Sequence, residues 1–364
     1  MGFENFKQIV ESTQKGFEAV RPIMEGEIAQ SNGFLGNILF PRESTNELVV
    51  RRREHHKTNI TGNYRNRYEG SRRLITPEFI KDIVATLPHK GNTDVITKQS
   101  LNWLTVNKDN AGAQAWARYF GSAQDKLANV MKAIWTLNEF EACRAITLGT
   151  LRFANGHELD FPYTDFDRTN QDSLGIAYHT NAHDWFNVDG TVNMEADIFG
   201  DFETIKTTVV DRRGRVPEVA IMNRHTFQAI WKNDILNEKV DNLNQPAYWL
   251  HFANKDDMIT NPLGIQFYVY DEYFYPDPEM AEYLDVDAFS PQKYIPDHVV
   301  VFAPRRLGTR WVGPNDENNG TDSYVKTWGS IDEREITVEY GEVSMPMPDD
   351  FESLHVAYVK DLGD

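Results

Sequence analysis

The chain has 364 residues, which at roughly 100–200 residues per domain suggests about two folding units. Its 40 % hydrophobic content is enough to build real cores and argues against global disorder. The net charge of −18 argues against general nucleic-acid binding, because phosphate contacts need lysine and arginine.

The one cysteine, Cys143, leaves no internal disulfide and no cysteine cluster for zinc or iron–sulfur chemistry, so a reducing, cytosolic place of assembly fits. No run approaches the ~20 apolar residues of a membrane span. The N-terminal segment lacks the continuous apolar core of a signal peptide, and Phe6 stands where a myristoylation signal needs Ser or Thr. The glycosylation-like triplets at Asn59 and Asn319 carry weight only in a secreted chain.

The first element is an amphipathic helix. Phe3, Phe6, Val10, Phe17, Val20 and Met24 recur at three- and four-residue steps, with Thr13 at the one weak position. Pro22 is expected to stop or kink it near Val20. The plain reading is an ordinary surface helix, and the sharper one is an arm that docks onto a neighbouring subunit. Residues 31–50 read as irregular, then extended.

Residues 51–73 form a basic stretch. Arg51, Arg52, Arg53, Lys57, Arg65, Arg67, Arg72 and Arg73 stand against only Glu54 and Glu69, a balance of +6, while residues 74–364 carry −21. With almost no aliphatic side chains this stretch cannot join a core, so it should project as a hairpin or loop. A solvated face and a nucleic-acid contact are both open readings. The imbalance with the rest of the chain fits best a charged loop lying on an acidic neighbour, where opposite charge steers assembly and fixes register.

The longest helix signal runs from about residue 111 to 148. Phe120, Ala123, Leu127, Val130, Ile134 and Leu137 make one stripe, widened by Trp116, Met131, Trp135 and Phe140. At 1.5 Å per residue it spans on the order of 50 Å. Gly121 is a weak spot that could split it. Two short extended runs then flank Asn155-Gly156, a strong hairpin signal.

Residues 176–205 are mixed. VPEVAIMN reads as a buried strand and NRHTFQAIWKNDIL as a capped helix after it. LGIQFYVYDEYFY, DHVVVFAPRRLGTRWVG, ITVEYGEVSMPMP and ESLHVAYVKDL read as strands. Residues 331–364 hold ten acids and two bases. One long helix, many strands and few other helices describe an α+β protein with a mixed sheet.

A search for chemistry returns little. There is no phosphate-binding glycine loop, dinucleotide fingerprint or nucleophile elbow. Cys143, inside the long helix, reads as a buried, inert thiol. His179 and His183 have the spacing of a helical metal pair but lack the intervening Glu and a nameable third ligand. Asp165, Asp167 and Thr169 begin like a calcium loop, but Asn170 holds the glycine place and Ile176 the place of the bidentate Glu. Asp271, Glu272, Asp277 and Glu279 could gather a cation or act as a hydrolytic pair, although a solvated edge is the better reading in a chain with 55 acids. No catalytic, cofactor or metal residue is therefore assigned, and no enzymatic activity is expected.

The order of elements resembles the lambda capsid protein E family of tailed-phage major capsid proteins, which have the Hong Kong 97-type shell fold. The stretches that carry the resemblance are the long helix running into NEFEACRAITLGTLRFANGHELDFPYTDFDR, GRVPEVAIMNRHTFQAIWKNDIL, and NPLGIQFYVYDEYFY followed by YIPDHVVVFAPRRLGTRW. MPMPDDFESLHVAYVKDL suits the family's closing strand, and together they cover most of the chain from about residue 110.

The resemblance implies an N-terminal arm at 1–45 and an extended loop at 46–76 lying over the adjacent subunit. It implies a peripheral domain at 77–175 with its spine helix at 111–148, an axial domain at 176–330, and C-terminal strands at 331–364 returning to the peripheral domain. It further implies a homo-oligomer of pentamers and hexamers in an icosahedral shell around double-stranded DNA. Scaffold, portal and decoration proteins would be its partners, and it would be assembled in the host cytoplasm into a virion. A separate scaffold or a prohead protease is expected, because little chain precedes the arm. Lys57 is the sole lysine of the basic stretch and nothing places an acidic catalyst near it, so no covalent cross-linking is expected. A decoration, neck or tail protein and a carboxylate-dependent hydrolase are the alternatives. The long helix disfavours the first, and the second would need a cleft with perturbed acids.

Overall fold

The computed structural model describes residues 3–31, 34–55, 80–96, 113–152, 158–160, 185–213, 216–234, 259–260, 265–284, 286–315, 317, 320, 322–330, 335–349 and 353–360. Its organising element is the helix α3 (Ala113–Thr147), within the range expected from the apolar stripe. Gly121 does not split it. The stripe residues Ala123, Leu127, Val130 and Ile134 are buried with Met131 and Trp135. Burying each large side chain contributes about 1.5–3 kcal/mol, which outweighs one glycine's cost of about 1 kcal/mol.

The first half of α3 packs on a sheet of five strands, β1 (Arg42–Ser44), β4 (His89–Ile96), β13 (Gly308–Val312), β14 (Tyr324–Gly329) and β15 (Ile336–Pro348). The long strand β15 organises this sheet. Its residues 336–343 pair antiparallel with β4, 336–341 with β14 and 344–348 with β13. Gly341 is required there, since a Cβ would meet the Lys90 carbonyl at 2.5 Å and the Tyr324 ring at 2.7 Å.

The helix α1 (Phe3–Ser31) lies on the same cluster. Phe17 and Ile28 are buried against α3, β14 and β15, with Val20 and Met24 partly buried beside them. Pro22 does not stop α1, which runs on to Ser31. A mid-helix proline costs ~3 kcal/mol. Here the apolar residues on both sides of it share one docked face, and Arg21 donates to the Ser323 carbonyl while pairing with Glu25, so packing holds the helix through the break.

A second sheet has the order β16–β12–β7–β9–β8, from β7 (Val219–Met222), β8 (Ile259–Thr260), β9 (Gln266–Val269), β12 (Val299–Ala303) and β16 (His355–Tyr358). β7 and β12 are buried at every position, as strands covered on both faces must be. One face, with Ala220, Met222, Phe267, Val300 and Phe302, packs on α4 (Ile198–Arg213) and α5 (Arg224–Trp231). The other, with Val219, Ile221, Tyr268, Val299 and Val301, packs on the end of α3 and on the short α2 (Leu35–Leu39). The capped helix read from NRHTFQAIW is α5, whose Asn223 side chain accepts from the Thr226 amide at 2.8 Å.

The sheets do not divide at residue 330. β13 and β14, which precede it, share a sheet with β15, and the last strand, β16, pairs with β12 in the second sheet rather than returning to the first. The reason is long-range pairing, since Val299–Phe302 meet Tyr358–His355 edge to edge. The helices α2, α4 and α6 (Pro278–Leu284) were also not anticipated. α4 in particular buries Ile198, Phe202, Ile205 and Val209 among polar threonines and acids that obscure the stripe.

Candidate assembly surfaces

The basic stretch begins on a two-stranded antiparallel ribbon, β2 (Val49–His55) with β3 (Ile80–Thr86). Its root is apolar, because Val50, Ala85 and Leu87 pack with Ala145, Val343, Met345 and Met347. Beyond the root the chain becomes polar, with Arg51 exposed and Arg53 opposite Asp82 in register. Arg51, Arg52 and Arg53 thus lie together on one strand of the ribbon. Lys57, Arg65, Arg67, Arg72 and Arg73 fall outside the described residues.

The apolar face of α1 is covered by its own chain. Gln14 donates to the Val325 carbonyl at 2.7 Å, and Tyr340 donates to Glu25 at 3.0 Å. In this structure α1 is therefore docked within the subunit, as the plain reading of its stripe required.

A charged cluster missed from the sequence sits where α1, α2, α3 and the first sheet converge. Lys90 of β4 bonds Glu141 of α3 and donates to Asn138 at 2.7 Å. Asn138 in turn donates to Glu342 of β15 at 2.6 Å, which also accepts from Ser344 at 2.5 Å. Arg42 of β1 lies 3.6 Å from Glu342 and 2.6 Å from Asp322. Glu139 accepts from the Gly36 amide at 2.8 Å, and Arg310 donates to Asn37 at 3.3 Å.

Burial raises the carboxyls of Glu139 and Glu141 above their ordinary range, against the pull of their hydrogen bonds and nearby cations. Burial acts the same way on Glu342, but Arg42, Lys90 and Arg310 together overcome it and hold Glu342 ionised below its ordinary value. Glu139, Glu141, Glu342, Lys90 and Arg310 are thus buried together with the partly exposed Arg42 at their edge, a geometry that fixes register between elements more than it adds stability. The available signal was Asn138, Glu139 and Glu141 interrupting an apolar helix, a polar set that α3 buries on every side.

The chemical candidates take structural places. Cys143 is buried, and burial pushes its thiol well up, away from nucleophilic range. Asp271 pairs with Arg224 at 2.8 Å and accepts from its amide at 2.7 Å. Asp277 accepts from the Met280 amide at the start of α6. His179, His183, Asp165, Asp167 and Thr169 lie outside the described residues. Among the described residues no group of three or more His, Cys, Asp or Glu is placed to hold a metal ion, and no helix is long and apolar enough to cross a membrane.

No family model and no curated protein matches the sequence. Solved structures do match. A phage-related protein from Bordetella bronchiseptica superposes with a TM-score of 0.53 at 12 % identity, covering 94 % of this chain and 98 % of its own. The protein assigned as the capsid protein of an Escherichia coli prophage superposes with a TM-score of 0.56 at 11 % identity, covering 92 % of this chain and 94 % of its own. At such identity the likeness speaks to architecture, and it extends over nearly the whole of each chain. The two sheets bridged by one long helix, with the two-stranded ribbon β2–β3 packed at its root against them, are the Hong Kong 97-type fold of phage capsid proteins.

Proposed function

We propose that this chain is the major capsid protein of a tailed phage, tiling an icosahedral shell as pentamers and hexamers around double-stranded DNA. The observation that carries this reading is the full-length fold match to the protein assigned as a prophage capsid protein, a match that leaves only a small fraction of either chain unaccounted for. Physical features support it. A shell subunit needs a stiff body, projecting arms and many modest contacts whose repetition supplies avidity. α3 tied into both sheets supplies the stiffness. The ribbon β2–β3 and the basic stretch it begins, 46–76, supply the projection onto an adjacent subunit. The excess of acid elsewhere keeps enclosed DNA from adhering.

In this reading the first sheet and the start of α3 form the peripheral half. The second sheet with α4 and α5 forms the axial half, whose tips meet around the symmetry axes. Scaffold and portal proteins, and decoration proteins on the outside, are its expected partners, and assembly takes place in the host cytoplasm. The role is structural and needs no catalysis. Negative-stain microscopy of the purified protein tests it. Shells, or rings of five and six, are the expected result, and a protein that stays monomeric at all concentrations and ionic strengths overturns it.

A further inference from the structure

We propose that the lobe formed by residues 271–290 is the surface on which the basic ribbon of a second copy of this chain lies. The inference rests on the shell reading above and adds to it the receiving surface.

The lobe leaves the second sheet after β9. It is built from β10 (Tyr273–Phe274), paired antiparallel with β11 (Gln292–Lys293), and from α6. Backbone bonds from the Phe289 amide to the Pro276 carbonyl, 2.9 Å, and from Val286 to Ala281, 3.0 Å, close it on itself. Phe274 anchors it, buried with ring centroids 5.2 Å from Phe140 of α3 and 4.9 Å from Tyr294. The lobe is therefore a fixed part of the body.

Its outer side is unusual for a surface. Tyr273 is 50 % exposed, Tyr275 64 % and Phe289 67 %. Phe289 also has φ 59°, a left-handed conformation that a bulky residue adopts only when its surroundings impose it. A large ring held out into water at a backbone cost is a surface waiting for a partner rather than a lapse in packing.

Charge selects the partner. Residues 271–290 contain seven acids and no base, and Glu279, Glu282 and Asp287 are exposed in the same lobe as the three rings. The complementary surface must be basic, and the chain has one such segment, residues 51–73 at +6. Arginine, which dominates that segment, can use both features of the lobe at once, since a guanidinium stacks flat on an aromatic ring while its edge forks onto a carboxylate. The other acid-rich segment, 331–364, does not present this combination among its described residues. There Glu342 is buried and Glu339 accepts from Tyr324. Within one subunit the ribbon root packs with Ala145 and β15, whereas the lobe packs around Phe140 and Tyr294 in a different cluster, which points to a second copy as the occupant.

The test uses the full-length protein. The triple variant Glu279→Lys, Glu282→Lys, Asp287→Lys should stay folded by circular dichroism and lose particle formation. Combining it with Arg51→Glu, Arg52→Glu, Arg53→Glu should restore particles. Phe289→Gly relieves the left-handed backbone, so it should keep or raise subunit stability while raising the concentration needed for assembly by on the order of tenfold. A role in folding alone would move both readouts the same way. Oxidation of particles carrying Arg51→Cys and Asp287→Cys should give a ladder of high-mass bands on a non-reducing gel. Wild-type particles with no rescue and no ladder overturn this proposal alone, and so does a lysine variant that assembles normally. A fast-migrating monomer band instead of a ladder means the ribbon folds onto its own lobe, and normal shells that lose DNA when the arginines are reversed mean the ribbon faces nucleic acid; either overturns it too. Wild-type protein that forms no particles or rings removes the shell reading and this proposal with it.

Discussion

The backbone amide of Gly36 donates to the carboxylate of Glu139 at 2.8 Å inside the core, joining the short helix after the N-terminal segment to the long helix between the two sheets. The contact is possible because Gly36 has no side chain. A Cβ there would lie 2.7 Å from the Glu139 oxygen and 2.9 Å from the Ala142 methyl. Gly36→Ala should therefore destabilise the subunit by about 1–3 kcal/mol, as overpacking does, seen as a lower denaturant midpoint with an unchanged slope. A midpoint equal to that of the wild type would show that α2 can shift freely.

The buried acids should respond oppositely to pH. Glu342 is held below its ordinary value of 4.5, so its contribution is fully present above 4.5 and is lost as pH falls through the lower folded value. Glu342→Gln should cost on the order of 3–5 kcal/mol at neutral pH, because Arg42, Lys90 and Arg310 lose their shared anion, and the deficit should shrink in acid. Glu139 is raised by burial, so its ionisation costs stability as pH rises through the folded value. Glu139→Gln should gain on the wild type as pH increases. Unfolding curves of both variants across the acid range decide the matter, and deficits that run parallel for the two would contradict the assignment.

Asn223 serves three partners from one buried side chain. It accepts from the Thr226 amide and donates to the Ile295 carbonyl at 3.1 Å and to Asp297 at 2.6 Å. Asn223→Ala removes the cap of α5 and strands the Ile295 carbonyl, so a loss of about 2–4 kcal/mol is expected by chemical denaturation.

Gly121 is the opposite case to Gly36. It lies inside α3 with nothing within 4 Å of a would-be Cβ. Gly121→Ala should stabilise by about 0.5–1 kcal/mol, a rise in melting temperature measurable by calorimetry.

Reversing Arg51, Arg52 and Arg53 to Glu should leave the subunit folded, since β2 beyond Val50 carries no described core contact, yet abolish assembly. Sedimentation of the variant beside the wild type reads this directly. Normal shells from the variant would refute the role given to the ribbon.

Several parts of the fold were legible because they rest on local chemistry. The stripe from Ala123 to Ile134 marks a buried helix face, the unbroken apolar runs at Val219–Met222 and Val299–Ala303 mark strands covered on both sides, and Asn223 before RHTFQAIW marks a capped helix start. The charge contrast of residues 51–73 with all that follows was likewise open to inspection, since charge needs no fold to be counted. Pro22 does not end the helix because its local cost is real but smaller than the packing on either side of it.

The sequence by itself thus determined the nature of the elements, the long helix, and the charge contrast of residues 51–73 with the rest of the chain. Only the tertiary structure decided that the last strand joins the second sheet, that Lys90, Glu141, Asn138 and Glu342 meet in one buried cluster, and that Tyr273, Tyr275 and Phe289 share an acidic, solvent-facing lobe. These depend on pairings between residues tens to hundreds of positions apart. Periodicity and propensity act over a few residues, so nothing local specifies which distant partners close the core.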